Sequence, residues 1–308
     1  VSESEAPDAA PPFLREAPAS GRVEAVSPLI RRLVCPNAGP FTQSGTCTYL
    51  VGHGRVAVID PGPDHPEHRA ALLAALDGET VEAILVTHTH RDHSPGARPL
   101  AAATGAPIVG CGPHRPARTV RGAEQGRLDA AGDADHRPDR ELAEGDAVSG
   151  PGWTLTALAT PGHTMNHLAF SLSEEDALFS GDHVMAWSTS IVAPPDGSMG
   201  AYMASLDKLR GRSESVYWPG HGGPVRDPQR FVRGLLSHRR ARETGILERL
   251  AAGERTIPGL VAALYSGLDP KLRPAAALSV FAHLEDLVER GRVATDGLPA
   301  LDAEYRPG

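Results

Sequence analysis

The chain has 308 residues, 41% of them hydrophobic, enough to bury a large core and to divide into one large domain and a smaller one. Its net charge of -8 argues against a protein that coats nucleic acid or lies on an anionic membrane surface. No apolar run approaches membrane-spanning length, and Cys35, Cys47 and Cys111, odd in number and without CxxC spacing, support neither a disulfide framework nor a cysteine zinc site, which fits a reducing, cytoplasmic setting.

Residues 1–22 are rich in Ala, Pro and acid, lack the basic start and apolar core of a signal peptide, and read as a flexible tail. Short β-rich runs at 29–34, 46–51 and 55–59, separated by Gly, Pro and Asn, predict antiparallel strands. Asp60-Pro61-Gly62 closes the third run, and residues 66–76 carry Ala and Leu at helical spacing. The apolar run 81–86 predicts a buried strand leading into Thr87-His88-Thr89-His90-Arg91-Asp92-His93; a helix over 95–103 and a strand over 107–109 follow. Residues 112–140, rich in Arg, Asp, Gly and Pro, predict a long surface loop in which His114, Asp133, Asp135 and His136 are solvated. Strands are predicted at 153–158, 167–172, 177–179 and 216–218, with a helix over 196–210. Each strand run closes on a turn bearing a candidate ligand: Pro161-Gly162-His163, Gly181-Asp182-His183 and Pro219-Gly220-His221-Gly222. Strands separated by helices, twice over, predict an α/β fold: two sheets face to face with helices outside, a four-layer αββα sandwich with ligands on loops at one edge. Beyond 228 the pattern is helical, at 231–250, 258–265 and 275–290. The expected division is therefore a tail at 1–22, a metal domain at 23–228 and a helical C-terminal domain at 229–308.

Three imidazoles and a carboxylate between His88 and His93, at the end of a buried strand, are a donor set for metal. Without an ion, so many polar groups at one partly buried spot would be costly. His88 and His90, two residues apart, can reach one ion, while Asp92 and His93 reach past it to a second. Two ions ~3.5–4 Å apart share a water, lower its pKa towards about 7 and leave positions for a substrate oxygen. Asp92 would then orient that water or receive its proton.

In order along the chain, His88-x-His90-x-Asp92-His93, Thr160-Pro161-Gly162-His163-Thr164, Ser180-Gly181-Asp182 and Pro219-Gly220-His221-Gly222 resemble the successive motifs of the metallo-β-lactamase fold superfamily. The resemblance implies that His88, His90 and His163 hold one metal, that Asp92, His93 and His221 hold the second, and that Asp182 bridges both. Asp60 would be the aspartate that supports the ligands from behind. Asp182 and the Asp92-His93 pair disfavour the subclass with a cysteine ligand, and His90 stands where the di-iron reductases of this fold carry an acid. Two Zn2+ ions are therefore expected, with Fe or Mn as alternatives. Beyond His221, Ser237-His238-Arg239-x-x-Arg242-Glu243 and Phe281-x-His283-Leu284-x-x-Leu287-Val288-x-x-Gly291-x-Val293 are similar to the β-lactamase-like protein 2 group, in which a winged-helix-like domain follows the metal domain. Members of that group include an endoribonuclease on single-stranded RNA and thioesterases that release polyketides from acyl carriers.

The expected activity is a dinuclear zinc hydrolase that directs a metal-bridging hydroxide at a small-molecule ester, thioester, lactone or amide. Cleavage of single-stranded RNA is the first alternative and a mononuclear-iron persulfide dioxygenase the second. Arg239 and Arg242, on a basic helix, are candidate phosphate contacts. The C-terminal domain, nearly balanced in charge, is expected to wall the active site or to make a homodimer contact. His167, His183 and Trp187 are expected in or beside the pocket, with Met165, Met185 and Tyr202 as apolar candidates. His53, His65, His68, His114, His136 and His283 read as surface or incidental, and no membrane partner is expected.

Overall fold

The computed structural model describes residues 11, 13, 14, 16–122 and 124–308. Of the expected tail, residues 1–10, 12 and 15 thus lie outside the described residues. Within the rest of it, Phe13 meets Phe231 edge-on at 6.0 Å, the Leu14 N–H donates to Ala186 O at 2.9 Å, and the Gly21 N–H donates to Val34 O at 3.0 Å.

The first half of the body contains β1 (Val23–Ala25), β2 (Ile30–Val34), β3 (Cys47–Val51), β4 (Arg55–Ile59), α1 (Pro66–Ala75), β5 (Thr80–Val86), α2 (Ala97–Thr104), β6 (Ile108–Gly110), α3 (Glu124–Ala131) and β7 (Arg140–Glu141). Its strands form one sheet in chain order, antiparallel as far as β4 and parallel from β4 to β7. The second half contains β8 (Ala147–Gly150), β9 (Trp153–Ala159), β10 (Leu168–Leu172), β11 (Ala177–Gly181), α4 (Met199–Arg210), β12 (Val216–Pro219) and β13 (Val225–Arg226), in the order β13-β12-β11-β10-β9-β8, with β11 and β12 parallel. The C-terminal unit follows as α5 (Pro228–Ala251), α6 (Ile257–Leu264), α7 (Arg273–Glu289) and the antiparallel hairpin of β14 (Val293–Thr295) and β15 (Tyr305–Pro307).

Strand alternation assigns the layers. Leu168, Phe170 and Leu172 of β10 enter the core between the sheets, with Leu33, Tyr49, Val58 and Trp218, while Ala169 turns outward to a second core with Tyr202, Leu206 and Leu235. Leu72 and Leu100 of α1 and α2 belong to the first core. The expected αββα sandwich is the observed one. A third core of Ile246, Leu250, Leu260, Phe281, Leu284 and Tyr305 sits in the C-terminal unit, and α5 serves two cores: Phe231 to Leu236 face the sandwich, Ile246 and Leu250 the tail. Among the described residues no helix is long and apolar enough to cross a membrane.

The structure departs from the sequence reading in identifiable places. The helix predicted from 196 begins at Met199, because Ser198 caps it by accepting the Ala201 N–H at 3.3 Å. The predicted surface loop 112–140 contains α3 and β7 and is tied down: the Arg91 N–H donates to Ala131 O and the Asp133 N–H to Thr89 O. Part of its charge is engaged internally, with Ser94 donating to Asp133 and Arg118 pairing with Glu124 and Glu285, while Asp135, Arg137, Asp139 and Arg140 are exposed as expected. His114 and His136 are buried rather than solvated, and so are His68 and His283, which alternation could not place because they lie on helices or in irregular chain. The β14–β15 hairpin escaped notice because three-residue strands carry too little alternation to read.

Candidate active site

All the strands that carry candidate ligands end at one edge of the sandwich. Asp60 follows β4, the 87–93 turn follows β5, His163 follows β9, Asp182 follows β11 and His221 follows β12. Asp60 adopts a left-handed backbone (φ 49°), a cost of about 1–3 kcal/mol that its buried bonds offset. Its Oδ1 accepts the Thr87 N–H at 2.8 Å, and its Oδ2 accepts both the Thr87 hydroxyl at 2.7 Å and His93 Nδ1 at 2.9 Å. Both carboxylate oxygens are thereby committed, and His93 is turned with Nε2 towards the cavity.

Each remaining imidazole is likewise held from outside. His88 Nδ1 donates to Thr87 Oγ1 at 2.9 Å, His163 Nδ1 to Ile191 O at 2.5 Å, His221 Nδ1 to Gly45 O at 3.3 Å, and His90 Nε2 to Asp196 Oδ2 at 2.9 Å. The nitrogens left over converge in two groups. His90 Nδ1 lies 3.2 Å from His88 Nε2 and 2.9 Å from His163 Nε2. His93 Nε2 and His221 Nε2 are 3.2 Å apart, with Asp92 Oδ2 at 3.6 and 3.2 Å from them. Asp182 stands between the groups: Oδ2 is 3.6 Å from His163 Nε2 and 3.3 Å from His221 Nε2, and Oδ1, without a hydrogen-bond partner among the described residues, is 3.5 Å from His93 Nε2. Gly220 makes room for this approach, since a Cβ there would come within 2.4 Å of Asp182 Oδ1.

These donors fit a pair of cations. A neutral imidazole has one N–H, and in His88, His90 and His163 it is used outward, so three lone pairs face one another at spacings close to the ~3.3 Å expected between ligands of a tetrahedral zinc ion. A cation relieves that repulsion. In the second group, two lone pairs and two carboxylates converge in the same way. Without an ion the charges reveal the same demand. Burial and neighbouring histidines hold His88 well below the usual imidazole range and His163 down to about 4. Burial also opposes charge on His221 and His93, but Asp182 and Asp92 outweigh it, raising His221 to about 9 and His93 well above its usual value. Burial would raise the Asp92 and Asp182 carboxyls, yet the facing His93 and His221 hold both well below the carboxylate range. Buried His and Asp clusters here are consistent with a dinuclear metal site.

The other expected residues divide. His167 reaches the site indirectly, accepting the Asp182 N–H at 3.2 Å while its Nδ1 donates to Thr160 Oγ1 at 2.8 Å. His183 stays behind it, packed 4.5 Å from the Tyr202 ring. Trp187 packs beside Gly222 rather than on the cavity wall. Arg239 is buried, donating to Ser190 O at 2.5 Å and Ser279 Oγ at 3.2 Å, and Arg242 stacks 3.9 Å over Tyr265 while donating to Leu264 O. Arg239 is thus shut away from solvent, which rules it out as a phosphate contact, and the partly buried Arg242 is engaged with Tyr265 and Leu264 rather than with the cavity. Asp196 was missed. Its only sequence signal was an acid in the turn Pro194-Pro195-Asp196-Gly197, which reads as turn chemistry.

Above the donors opens a cavity of about 620 Å3. His90, Asp92, His163, Asp182 and His221 form its floor, and Phe41, Met185, Ile191, Pro194 and Pro195 form its sides. Thr42, Arg91 and Asp196 line it too, and Pro274, Ala275 and Leu278 of α7 close another side, so the C-terminal unit supplies one wall of the cavity.

Comparison with known proteins agrees with this geometry. The family profile described as the metallo-beta-lactamase superfamily matches residues 41–221, and that of the beta-lactamase associated winged helix domain matches residues 256–300. The chain is 30% identical over 298 residues to an atrochrysone carboxyl ACP thioesterase of Aspergillus terreus, covering 91% of this chain and 84% of that protein. Among solved structures it resembles a metallo-beta-lactamase family protein from Thermus thermophilus, at TM-score 0.72 and 27% identity over 92% of this chain and all of that one. A beta-lactamase domain protein from Burkholderia ambifaria shares the fold at TM-score 0.77 and 22% identity, covering 97% of this chain and 98% of that one. With a profile that spans most of the sandwich and contains every donor described above, the chain belongs to the metallo-beta-lactamase superfamily, as a metal-dependent hydrolase with a beta-lactamase-associated winged helix domain.

Proposed function

We propose that this chain is a dinuclear zinc thioesterase or esterase acting on small molecules with an apolar acyl group, and that within the superfamily it sits with the β-lactamase-like protein 2 group. The observation that carries the reading is the cavity. Beyond the donors at its floor, its lining is mostly apolar side chains drawn from both the sandwich and α7, with Thr42, Arg91 and Asp196 as the other polar groups. In this reading His88, His90 and His163 would hold one zinc, Asp92, His93 and His221 the second, with Asp182 shared between them. The pair of ions, when bound, would supply a nucleophilic water at neutral pH and polarise the scissile carbonyl. Asp92, whose side chain is 30% exposed where the other donors are nearly closed off, orients the attacking water and accepts its proton. Phe41, Leu278 and Pro194 hold the acyl group and exclude bulk water. The thioesterase from Aspergillus terreus supports a thioester carried on an acyl carrier as the substrate class.

RNA cleavage is the weaker reading, because Arg239 and Arg242 are spent on internal carbonyls and rings. One paired assay tests the choice: zinc-loaded protein against a panel of acyl thioesters, lactones and β-lactams, beside single-stranded RNA, with Asp92→Ala as the blank. Zinc-dependent release of thiol with intact RNA is the expected result. RNA cut by the parent and not by the variant, with the acyl panel untouched, would overturn it.

A further inference from the structure

His90 faces the metal differently from its neighbours. His88 and His163 turn Nε2 inward and give Nδ1 to a group close to the main chain, the hydroxyl of Thr87 and the carbonyl of Ile191. His90 turns Nδ1 inward, which leaves Nε2 pointing out of the cradle, and the group that meets it is a side chain from 106 residues away, Asp196. That carboxylate is buried, and its second oxygen, Oδ1, lies 3.5 Å from Nε2 of His114.

The proton on His114 can be located from its other side. Thr89 Oγ1 already receives the Asn166 side-chain N–H at 2.9 Å, so its own hydroxyl proton goes to His114 Nδ1 at 2.8 Å. With that proton given to Nδ1, neutral His114 has its own N–H on Nε2, on the side of Asp196 Oδ1. Asn166 is itself fixed, donating to Gly112 O at 2.8 Å and accepting from Thr164 at 2.9 Å. The carboxylate is therefore held on Oδ2 by the N–H of a metal-facing residue, while Oδ1 stands 3.5 Å from Nε2 of His114, beyond hydrogen-bond geometry, and His114 is in turn tied to Thr89, which lies between His88 and His90 in the chain.

We propose that Asp196, with His114 beside it, is a positioning residue that fixes the tautomer and ring orientation of His90 and so sets the affinity of the site formed by His88, His90 and His163. This rests on the two-ion reading above. Partners of this kind, hydrogen-bonded to a metal-ligating histidine, typically change metal affinity by about 10–100-fold when removed. Asp196 also lines the cavity, so the same carboxylate joins the substrate wall to the metal floor.

The test is metal binding rather than turnover. Parent protein, Asp196→Ala, Asp196→Asn and His114→Ala are loaded with zinc, titrated with chelators of graded strength, and the ions per chain counted; a parallel set loaded with cobalt(II) is followed by its visible spectrum. For Asp196→Ala the expected result is one ion held as in the parent and the other held about 10–100-fold more weakly, with an altered cobalt band. Asp196→Asn, which keeps the shape and an acceptor oxygen for His90, should fall between Asp196→Ala and the parent, and it guards against a misfolded alanine variant. His114→Ala should show a smaller loss at the same site. Two ions retained at parental affinity with an unchanged spectrum in both Asp196 variants would overturn the proposal while leaving the hydrolase reading intact. A parent that holds fewer than two ions would overturn the two-ion reading, and this assignment with it.

Discussion

The floor and the wall of the cavity are built on opposite principles. Each imidazole of the floor sits at the end of a strand or in the turn just after it, and each is held by a hydrogen bond directed away from the site, to Asp60, Thr87, Ile191, Asp196 or Gly45. The apolar part of the wall, Phe41, Met185, Pro194, Pro195, Pro274 and Leu278, contributes shape through side chains that make no hydrogen bonds, and a third of those residues come from the C-terminal unit. In the proposed reading, reactivity belongs to the polar frame and selectivity to the apolar surface above it, and the two meet at Ile191 and Asp196, which line the cavity and also hold His163 and His90. The sharpest way to break that division is at the floor. Asp92→Ala should lower kcat/KM on a thioester by roughly 10²–10⁴-fold with the unfolding transition still cooperative. A rate within about twofold of the parent would remove Asp92 from the chemistry, since a proton acceptor contributes far more than that.

Arg239 pins the wall to the floor. Its guanidinium, buried over the Tyr202 ring at 5.3 Å, holds Ser190 O next to the Ile191 carbonyl that orients His163, and its other arm reaches Ser279 on α7. Removing it leaves a buried carbonyl without its donor, a cost of about 2–3 kcal/mol. Arg239→Ala should therefore lose that much stability in urea titrations and weaken acyl and RNA substrates alike. A selective loss on RNA with unchanged stability would instead make Arg239 a phosphate contact.

Much of the frame was legible in the sequence because its signals are local. A buried strand followed at once by His88, His90, Asp92 and His93 needs no tertiary knowledge, and the Gly-bounded turns at 162, 181 and 220 mark the remaining ligands. What stayed hidden depends on pairing between distant segments. The role of Asp196 exists only because the chain brings it to His90, and His114 looked solvated because its loop is charged and aperiodic. Arg239 and Arg242 illustrate the converse error: a basic helix face looks like a phosphate track until the acceptors buried beside it are known. The wall is least legible of all, since nothing in the spacing of Pro274 and Leu278 says that they line one cavity with Phe41.

A subtler test of the frame uses pH. His68 supports Asp60 from below: its Nε2 donates to Thr48 Oγ1 at 2.9 Å, and the Thr48 hydroxyl donates to Asp60 O at 2.6 Å. Burial, reinforced by His65, pushes its pKa down to about 4, against about 6.5 in the unfolded chain. Above about pH 6.5 both states hold it neutral and its contribution is complete. As pH falls further the unfolded chain takes up the proton first, so stability is lost progressively until the folded state also titrates, near about pH 4. Between about pH 7.5 and about pH 5 the loss traceable to His68 should be about 2 kcal/mol. His68→Gln should remove that share of the pH dependence when metal-free unfolding is compared at the two values. An identical slope in parent and variant would mean that His68 is charged, or free to rotate, in the folded state.

The smallest expected effect is on the wall, and it separates wall from floor most cleanly. Leu278, partly open on α7, lines the cavity with an apolar side chain that takes part in none of the hydrogen bonds holding the donors. Leu278→Trp fills space without touching a donor, so zinc content should be unchanged. A long or aromatic acyl thioester should lose about tenfold in kcat/KM, the scale at which apolar pockets discriminate size, while an acetyl thioester should be cleaved as before. Equal losses on both substrates would show that the bulk has reached the floor. Equal retention would place the acyl group elsewhere than against α7, and selectivity would then have to reside in Phe41 and the Pro194 segment alone. The graded outcome is informative because the two substrates share the same reacting atoms and differ only in what they press against the C-terminal helix.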